Sequence, residues 1–239
     1  MNTYNSLNIG EILSANSYPG RGIIIGKTQD GTRSAVAYFI MGRSENSRRR
    51  FFAEKDDGIV ICPLEASETV NPELIIYSPI KVYKNYLIVT NGDQTDTIIN
   101  FLKRGDTFEN ALKSRSFEPD APNFTPRISG ILAYGDCGFK YKMNILKSAD
   151  RTGSACDSHT FSYSPIDGSG HFIHTYDRDG NPLPSFTGEP KRITVTNYID
   201  EFTESIWSSL DEKNKVSLYV RYTDLSGGKY ESRMINKYR

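Results

Sequence analysis

A compact group of arginines is the first feature of the sequence that could do chemistry. Four arginines and one glutamate lie between residues 43 and 50, giving this segment a local charge of +3. Guanidinium groups bind phosphate oxygens through paired, charge-assisted hydrogen bonds, although a solvated turn between two strands is the alternative. Because four arginines cannot share one phosphate, we expect two contacts, from Arg43 and Arg48, with Ser44 as a neighbouring hydroxyl group.

A further arginine, Arg21, directly follows the turn residues Pro19 and Gly20. Proline presets its own φ and glycine accepts a positive φ, a combination typical of a type II turn that leads into a strand. Arg21 is therefore expected at the start of a strand. There it either solvates the strand end or joins the other arginines around an anion.

The segment 115–127 contains three prolines, two acidic residues and two arginines. Prolines keep the preceding residues extended and reduce the freedom of a loop, so this segment can hold side chains without regular structure. Glu118 lies between a phenylalanine and a proline, and partial burial there would raise its pKa and suit it to proton transfer. The alternative is a surface ion pair with Arg115 or Arg127.

The segment 91–97 joins a predicted strand to a predicted helix. Asp93 fits the N-cap of that helix and Asp96 its acidic first turn, so capping is the default interpretation of both. Two carboxylates would repel a phosphate. With Asn91, this turn is better suited to hydrogen bonds with a polar heterocycle or a ribose.

Histidines and cysteines do not indicate a metal or a cofactor. His171 and His174 are three residues apart in a predicted strand, so their side chains point to opposite faces. The three cysteines are odd in number and widely spaced, which favours reduced thiols over disulfides or a zinc site. They are Cys62, Cys137 and Cys156.

Strands must position most of these residues. Short apolar runs bounded by glycine, proline and asparagine are typical of strands buried on both faces, and turn residues at 29–31 and 84–85 predict two antiparallel hairpins. The runs lie at 22–25, 35–41, 74–77 and 86–89.

Helical spacing is less frequent. It predicts helices at 95–102, 108–113 and 199–210, whereas alternation over 215–222 predicts a half-buried strand. Strands therefore dominate, with helices packed outside them. The sequence predicts an α+β protein, with a layered sandwich as one arrangement of that class.

No linker, charge block or repeat divides the 239 residues, so we expect one domain over residues 1–239. With 29 basic and 29 acidic residues, the chain is not expected to bind nucleic acid or anionic membranes through a general charge. The longest apolar run is too short for a membrane helix, and the first residues lack a signal sequence. A cytoplasmic location is expected, and a homo-oligomer remains open.

Several ordered strings of the sequence resemble one known family, the archaeal-type inosine monophosphate (IMP) cyclohydrolases and their bacterial relatives. The resemblance covers roughly the first 135 residues and continues more diffusely through residues 179–186 to the C-terminus. The strings are YPGRGIIIG (18–26), AYFIMGRSENSRRR (37–50), NGDQTD (91–96) and FEPDAPNFTPRISG (117–130).

This resemblance implies a four-layer αββα sandwich of the N-terminal-nucleophile-hydrolase type and a cyclohydrolase without a cofactor. The implied reaction closes 5-formamido-imidazole-4-carboxamide ribotide (FAICAR) to IMP, with loss of water. We expect Tyr77 and Glu118 to transfer protons, although Tyr77 is equally interpretable as a core tyrosine. Arginines would contact the anion and the oxyanion, and other residues would orient the base, the ribose or the acid. The arginines are Arg21, Arg43 and Arg48; the orienting residues are Asn91, Asp93, Asn123 and Arg127.

Two alternatives remain open at this point. Enzymes of this fold type commonly use an N-terminal Cys, Ser or Thr nucleophile, but Thr3 follows only Met1 and Asn2, so no such nucleophile is expected. An amidohydrolase with that nucleophile is the first alternative. A non-catalytic protein that binds purine nucleotides is the second.

Overall fold

The computed structural model describes residues 5–64, 77–136 and 138–239. The elements that position the candidate site are strands, joined by short loops and accompanied by five helices within these residues. The strands are β1 (Arg21–Lys27), β2 (Arg33–Met41), β3 (Arg50–Lys55), β4 (Gly58–Pro63), β5 (Ile80–Tyr83), β6 (Tyr86–Thr90), β7 (Arg127–Gly135), β8 (Gly138–Ser148), β9 (Cys156–Tyr163), β10 (Ser169–His174), β11 (Lys191–Thr194), β12 (Lys215–Asp224) and β13 (Tyr230–Asn236). The helices are α1 (Ile9–Ser14), α2 (Glu45–Arg48), α3 (Gln94–Lys103), α4 (Phe108–Lys113) and α5 (Ile199–Ser209).

Two antiparallel sheets contain all of these strands. One has six strands in the order β11-β10-β1-β2-β12-β13, and the other has seven in the order β3-β4-β5-β6-β7-β8-β9. In the first sheet, Arg21 pairs with Ile40 and Gly22 pairs with His174. The start of β1 therefore lies beside the ends of β2 and β10.

Apolar side chains from both sheets form one core between them. Alternation along β1 places Ile23 and Ile25 in this core, where they join Tyr38 of β2 and Phe52 of β3. Burial of each such side chain contributes about 1.5–3 kcal/mol to stability. The two sheets thus pack face to face, an arrangement compatible with a sandwich.

The outer faces of the sheets carry the helices. On the six-stranded sheet, Leu13 of α1 and Phe202 of α5 pack with Ile24 and other residues that point away from the inter-sheet core. On the seven-stranded sheet, Ile98 of α3 and Leu112 of α4 pack in a separate apolar cluster with residues of β6 and β7. The α+β class is therefore confirmed, and the apolar runs of β1 and β2 are buried on both faces as predicted.

The two predicted hairpins are confirmed, since β1 pairs with β2 and β5 pairs with β6, in each case antiparallel. The helix predicted at 108–113 has those bounds, and those predicted at 95–102 and 199–210 are α3 and α5. Gly20 has the predicted positive φ, 78°. Five strands in the second half of the chain were not indicated by the apolar runs, namely β7, β8, β9, β11 and β13.

The strand predicted at 215–222 is confirmed as β12, but the prediction that it is half-buried was wrong. β12 is buried along Lys215–Thr223, because it lies between β2 and β13 and is covered on both faces. Val216 and Tyr219 face the inter-sheet core, whereas Leu218 and Val220 face the helices. Residues 74–76 of one predicted run, Thr3 and Cys137 lie outside the described residues. Among the described helices, none is long and apolar enough to cross a membrane.

Candidate active site

The starts of β1 and β3 place two arginines at one end of the inter-sheet space. Arg21 is two residues before Ile23, and Arg50 is two residues before Phe52, so alternation puts both arginines on the faces that line the inter-sheet core. β1 belongs to the six-stranded sheet and β3 to the seven-stranded sheet. The two sheets therefore each contribute one guanidinium group to the same end of the core.

Two tyrosine hydroxyl groups lie between the sheets near these arginines. The hydroxyl oxygens of Tyr38 and Tyr77 are 3.1 Å apart and hydrogen-bonded, and both side chains are buried. Burial raises the pKa of both phenols, and the charge of Arg21 opposes this rise at each. The Tyr38 ring also stacks on Phe52, with ring centroids 5.6 Å apart, which fixes its position.

Arg21 is surrounded by phenol groups. Burial acts to lower its pKa, but interactions with Tyr18, Tyr77 and further tyrosines outweigh this effect and raise the pKa of Arg21 above its ordinary value. The guanidinium group stays charged at any pH at which the protein works. Its backbone N–H donates to Thr175 Oγ1 at 3.1 Å, which secures the start of β1 against the residue after β10.

Glu118 faces the same group of residues from the loop before β7. Burial raises the pKa of its carboxyl group, as predicted from the flanking residues, and the charges of Arg21, Arg127 and Arg50 reduce this rise. Its backbone N–H donates to Thr125 O at 2.9 Å. The carboxyl group is therefore partly desolvated and lies within electrostatic range of both inter-sheet arginines.

A hydrogen-bonded set of side chains holds the Glu118 loop in place. Asp120 accepts from the backbone N–H of Thr125 at 2.6 Å and from the Thr125 hydroxyl group. That hydroxyl lies 2.6 Å from the hydroxyl group of Tyr176, which is the second residue after β10. The loop is thereby connected to the six-stranded sheet, although its chain continues into the seven-stranded sheet. Asn123 contributes to the same loop by accepting from the Leu183 backbone N–H at 3.0 Å.

Asp93 forms ion pairs rather than the predicted helix cap. It occupies the N-cap position of α3 but makes no side-chain cap hydrogen bond. Its carboxylate instead accepts from Arg127 at 2.8 Å and from Arg115. These are the two arginines that were the alternative partners of Glu118, so the ion pairs at Asp93 leave the Glu118 carboxylate without that surface interaction. Asp96 pairs with Lys81 at 2.5 Å.

The side chain of Asn91 is hydrogen-bonded within the fold through both its nitrogen and its oxygen. Its amide N–H donates to Pro126 O at 2.9 Å, and its carbonyl oxygen accepts from the backbone N–H of Ile128 at 2.9 Å and from Gln94 at 3.1 Å. Asn91 is buried between the end of β6 and the start of β7. It positions Arg127 and the Glu118 loop rather than presenting a free amide.

The remaining candidate residues lie around the loop after β2. Arg43 donates to Asp179 at 2.7 Å and to Gly180 O at 2.8 Å, and its guanidinium group lies over the Tyr18 ring. Ser44 caps α2 by accepting from the Ser47 backbone N–H at 3.2 Å. Arg48 donates to Gly42 O at 2.9 Å within the same loop. These contacts give Ser44 and Arg48 structural partners in their own loop.

The structure thus brings Arg21, Tyr77 and Glu118 together, and it adds two residues that the sequence reasoning did not select. Arg50 belongs to the arginine cluster of the sequence, and its position two residues before Phe52 is the signal that it faces the core. Tyr38 lies within an apolar run that predicts a strand. Among residues 5–64, 77–136 and 138–239, no group of three or more His, Cys, Asp or Glu side chains is arranged to hold a metal ion.

The arrangement combines cationic groups, a carboxyl group with a raised pKa and buried phenols at one end of the sandwich. Guanidinium groups in such a place stabilise negative charge on a bound ligand, and they are most effective where water is excluded. A carboxyl group and a phenol are side chains that can serve as general acid or base towards a bound ligand. The site is suited to acid–base chemistry on a small anionic molecule.

Comparison with protein families gives one match over most of the chain. The model of the family described as IMP cyclohydrolase-like protein matches residues 18–228, a range that contains every residue of the site.

Curated relatives include proteins from methanogenic archaea, each named IMP cyclohydrolase. The chain is 29% identical to that of Methanocaldococcus jannaschii over 195 residues, which is 78% of this chain and 88% of the relative. It is 33% identical to that of Methanococcus aeolicus and 35% identical to that of Methanopyrus kandleri. The latter two alignments each cover 48% of this chain and only 58% of the relative.

Proposed function

We propose that this chain, which belongs to the IMP cyclohydrolase-like family, catalyses the dehydrating ring closure of FAICAR to IMP in purine biosynthesis. The observation that carries the proposal is the convergence of Arg21, Tyr77 and Glu118 at one end of the inter-sheet space. Family membership supports the reaction, and the archaeal relatives carry the corresponding name.

The reaction is intramolecular. The carboxamide nitrogen attacks the formyl carbon of the same ligand, a C–N bond forms, and the electron pair of the C=O bond moves to oxygen. The attacking nitrogen then loses one proton, and the oxyanion takes up a proton to become a hydroxyl group. In the second step the C–O bond breaks, the oxygen takes up a further proton and leaves as water, and the former formamide nitrogen loses its proton as it forms a C=N bond to the same carbon. Because both groups are attached to one imidazole ring, holding them coplanar supplies much of the rate, and effective molarities of about 10⁵ M or more are known for well-oriented cases.

The protein must stabilise the oxyanion and move the protons. We assign the oxyanion contact to Arg21, whose guanidinium group stays charged although it is buried from solvent. Glu118 and Tyr77 act as the proton-transfer residues. The raised pKa of Glu118 brings its proton exchange closer to neutral pH than that of an ordinary carboxyl group.

The other candidate residues act as binding and positioning groups in this proposal. Asn91, Asp93 and Arg127 hold the base of the Glu118 loop, and Asn123 holds its tip against the residue Leu183. Arg43 lies over the Tyr18 ring at the edge of the site, which we call the rim. There it either contacts the ligand or holds the Tyr18 side chain in place. Ser44 and Arg48 support the loop from which Arg43 projects.

We further propose the finer features of the fold and setting. The two sheets with helices on both outer faces support a four-layer αββα arrangement of the N-terminal-nucleophile-hydrolase type, formed as one domain by residues 1–239. The protein would act in the cytoplasm on a small purine ribotide. A homo-oligomeric form is compatible with this function and is tested by the mass of the protein in solution.

The test is an ultraviolet absorbance assay of the full chain with FAICAR. Conversion to IMP by the wild type, with loss of conversion in Glu118→Gln, supports the proposal. Glu109→Gln is the matched control, because Glu109 pairs with Lys142 near α4, away from the inter-sheet arginines. Tight binding of FAICAR without conversion would instead identify a nucleotide-binding protein. Release of formate without IMP would identify an amidohydrolase.

A further inference from the structure

The Nε atom of Arg50 is buried without a partner. It is inaccessible to solvent and has no hydrogen-bond acceptor among residues 5–64, 77–136 and 138–239. Other arginines of the protein hold acidic partners, as Arg127 does with Asp93 and Arg233 does with Asp200. Arg50 differs from them because its position on β3 turns it into the inter-sheet space.

An unpaired cation in such a place is unfavourable for the ligand-free protein. Taking a charged group out of water costs free energy unless an opposite charge or a set of hydrogen bonds compensates it. Burial lowers the pKa of Arg50, and the neighbouring positive charge of Arg21 lowers it further. The fold therefore keeps two cations close together that repel each other.

The guanidinium group of Arg21 also lacks a hydrogen-bond acceptor within the described residues. Its backbone N–H has a partner, but within residues 5–64, 77–136 and 138–239 its guanidinium group has no hydrogen bond or ion pair. Glu118 is one acidic group in electrostatic range of both arginines, and a single carboxylate does not balance two guanidinium charges. The end of the inter-sheet space thus carries an excess of positive charge.

We propose that Arg21 and Arg50, contributed by opposite sheets, form a two-guanidinium site that binds an anionic oxygen group of the ligand. The proposal rests on the proposed function for the identity of that group. It is either the phosphate of the ribotide or the oxyanion formed when nitrogen attacks the formyl carbon. Both have the same chemistry, oxygen atoms with negative charge that accept paired hydrogen bonds from guanidinium groups.

The test compares the full-length wild type with Arg50→Gln, Arg50→Lys and the control Arg233→Gln. The control removes one positive charge from an exposed ion pair. In ligand-free protein, Arg50→Gln should unfold at the wild-type temperature or above it, because it removes an uncompensated charge. A structural arginine would give the opposite result. Binding is measured by the rise of Tm with IMP and with orthophosphate, and by calorimetric titration of IMP.

The two sources of the anionic oxygen give different results. If the group is the phosphate, Arg50→Gln should weaken IMP binding about 10- to 100-fold and leave inosine binding unchanged. If it is the oxyanion, kcat for FAICAR should fall by about the same factor, while IMP binding stays near the wild-type value. Arg50→Lys keeps the charge but not the planar geometry, so we expect partial recovery in either case.

The proposal would be overturned if Arg50→Gln matched Arg233→Gln in IMP binding, in the orthophosphate response and in kcat. It would also be overturned if Arg50→Gln strongly lowered Tm without ligand. A different result would contradict the proposed function and not the anion site. A wild type that does not convert FAICAR, yet shows a Tm response to IMP or orthophosphate that depends on Arg50, contradicts the enzyme and supports the anion site.

Discussion

The hydroxyl groups of Tyr38 and Tyr77 form a hydrogen bond of 3.1 Å inside the inter-sheet core. Tyr38 belongs to β2 of the six-stranded sheet, whereas the backbone carbonyl of Tyr77 accepts from Ile61 of β4 in the seven-stranded sheet. One polar contact therefore joins the two sheets beside Arg21. It holds the Tyr77 hydroxyl in a fixed direction, as a proton-transfer group requires.

Removal of these hydroxyl groups should affect catalysis unequally. Tyr77→Phe should lower kcat about 100-fold, because general acid–base groups contribute factors of this size. Tyr38→Phe should lower it about tenfold, because it removes only the group that orients Tyr77. Steady-state kinetics with FAICAR measure both effects. Tyr134→Phe is the control, since the Tyr134 hydroxyl bonds to Ser34 away from the arginines. Wild-type kcat in Tyr77→Phe would exclude this tyrosine from proton transfer.

Glu118→Gln should lower kcat by a factor of about 10² to 10⁴ while weakening IMP binding far less. The amide keeps the size of the side chain but cannot exchange a proton in this range. In the wild type, the pH profile of kcat/KM should contain one protonation step above the ordinary carboxyl pKa, because burial raises the pKa of Glu118. The variant should lack this step. A profile with the same step in both proteins would assign it to another group.

Arg43→Ala should act mainly on binding. The Arg43 side chain bonds to Asp179 and Gly180 at the rim and lies over the Tyr18 ring, which is stacked on Tyr176. We expect the KM for FAICAR and the Kd for IMP to rise about tenfold, with kcat within twofold of wild type. Kinetics and titration check the two parts. Equal, small effects of Arg43→Ala and Glu118→Gln would contradict both role assignments.

Gly92→Ala should destabilise the protein, because the added methyl group would collide with the Arg127 guanidinium and the Gln94 amide. Overpacking of this kind costs about 1–3 kcal/mol. Urea unfolding measures the loss, and activity should fall with it, since Arg127 acts on the charge of Glu118. Gly227→Ala is the control, because its added methyl group meets no atom within 4 Å. Equal stabilities of the two variants would show that the Arg127 side chain moves aside freely.

Acid should destabilise the protein through His174. Burial lowers the pKa of His174 to about 4, and its buried Nε2 atom has no hydrogen-bond partner in the part of the chain that the structure describes, so the folded protein keeps the ring neutral. The unfolded chain takes up a proton near pH 6.5. The contribution of the neutral His174 ring to the free energy of unfolding is therefore fully present above that pH. It is lost as pH falls from about 6.5 to about 4, and the loss amounts to roughly 3 kcal/mol.

Urea unfolding between pH 7.5 and pH 4.5 tests this loss. His171 contributes in the same direction, because burial lowers its pKa to about 4 as well. Asp30 and Asp150 have lowered pKa values, so the stability they provide is lost only below this window. His174→Gln should flatten the pH dependence, whatever its stability at pH 7.5. An unchanged slope in that variant would assign the acid sensitivity elsewhere.

The sequence predicted the elements well where local physics decides them. Runs of β-branched residues with a turn at 29–31 define β1 and β2, and no distant contact is needed to specify that hairpin. The expected direction of the pKa shift at Glu118 is confirmed, because burial in the folded protein raises the pKa of its carboxyl group.

Contacts between residues far apart in the chain determine the features of the site that the sequence did not predict. Asp93 bonds to Arg127, 34 residues away, and this ion pair replaces the predicted helix cap. The choice among the clustered arginines depended on where α2 ends and β3 begins, since Arg48 turns back to Gly42 and Arg50 faces the core. If β3 began one residue earlier, alternation would turn Arg49 instead of Arg50 towards the core, and the bounds of an element are what a sequence specifies least well.

The pairing of Arg21 with Ile40 has a consequence for the origin of new activities on this scaffold. Because side chains alternate, a slip of one position in β1 would turn Arg21 towards the helices and put a glycine in its place. A change in the register of β1 would therefore also change the chemistry of the site. Insertions of two residues before β1 are compatible with retention of the cation, whereas a single-residue insertion within the strand removes it at once.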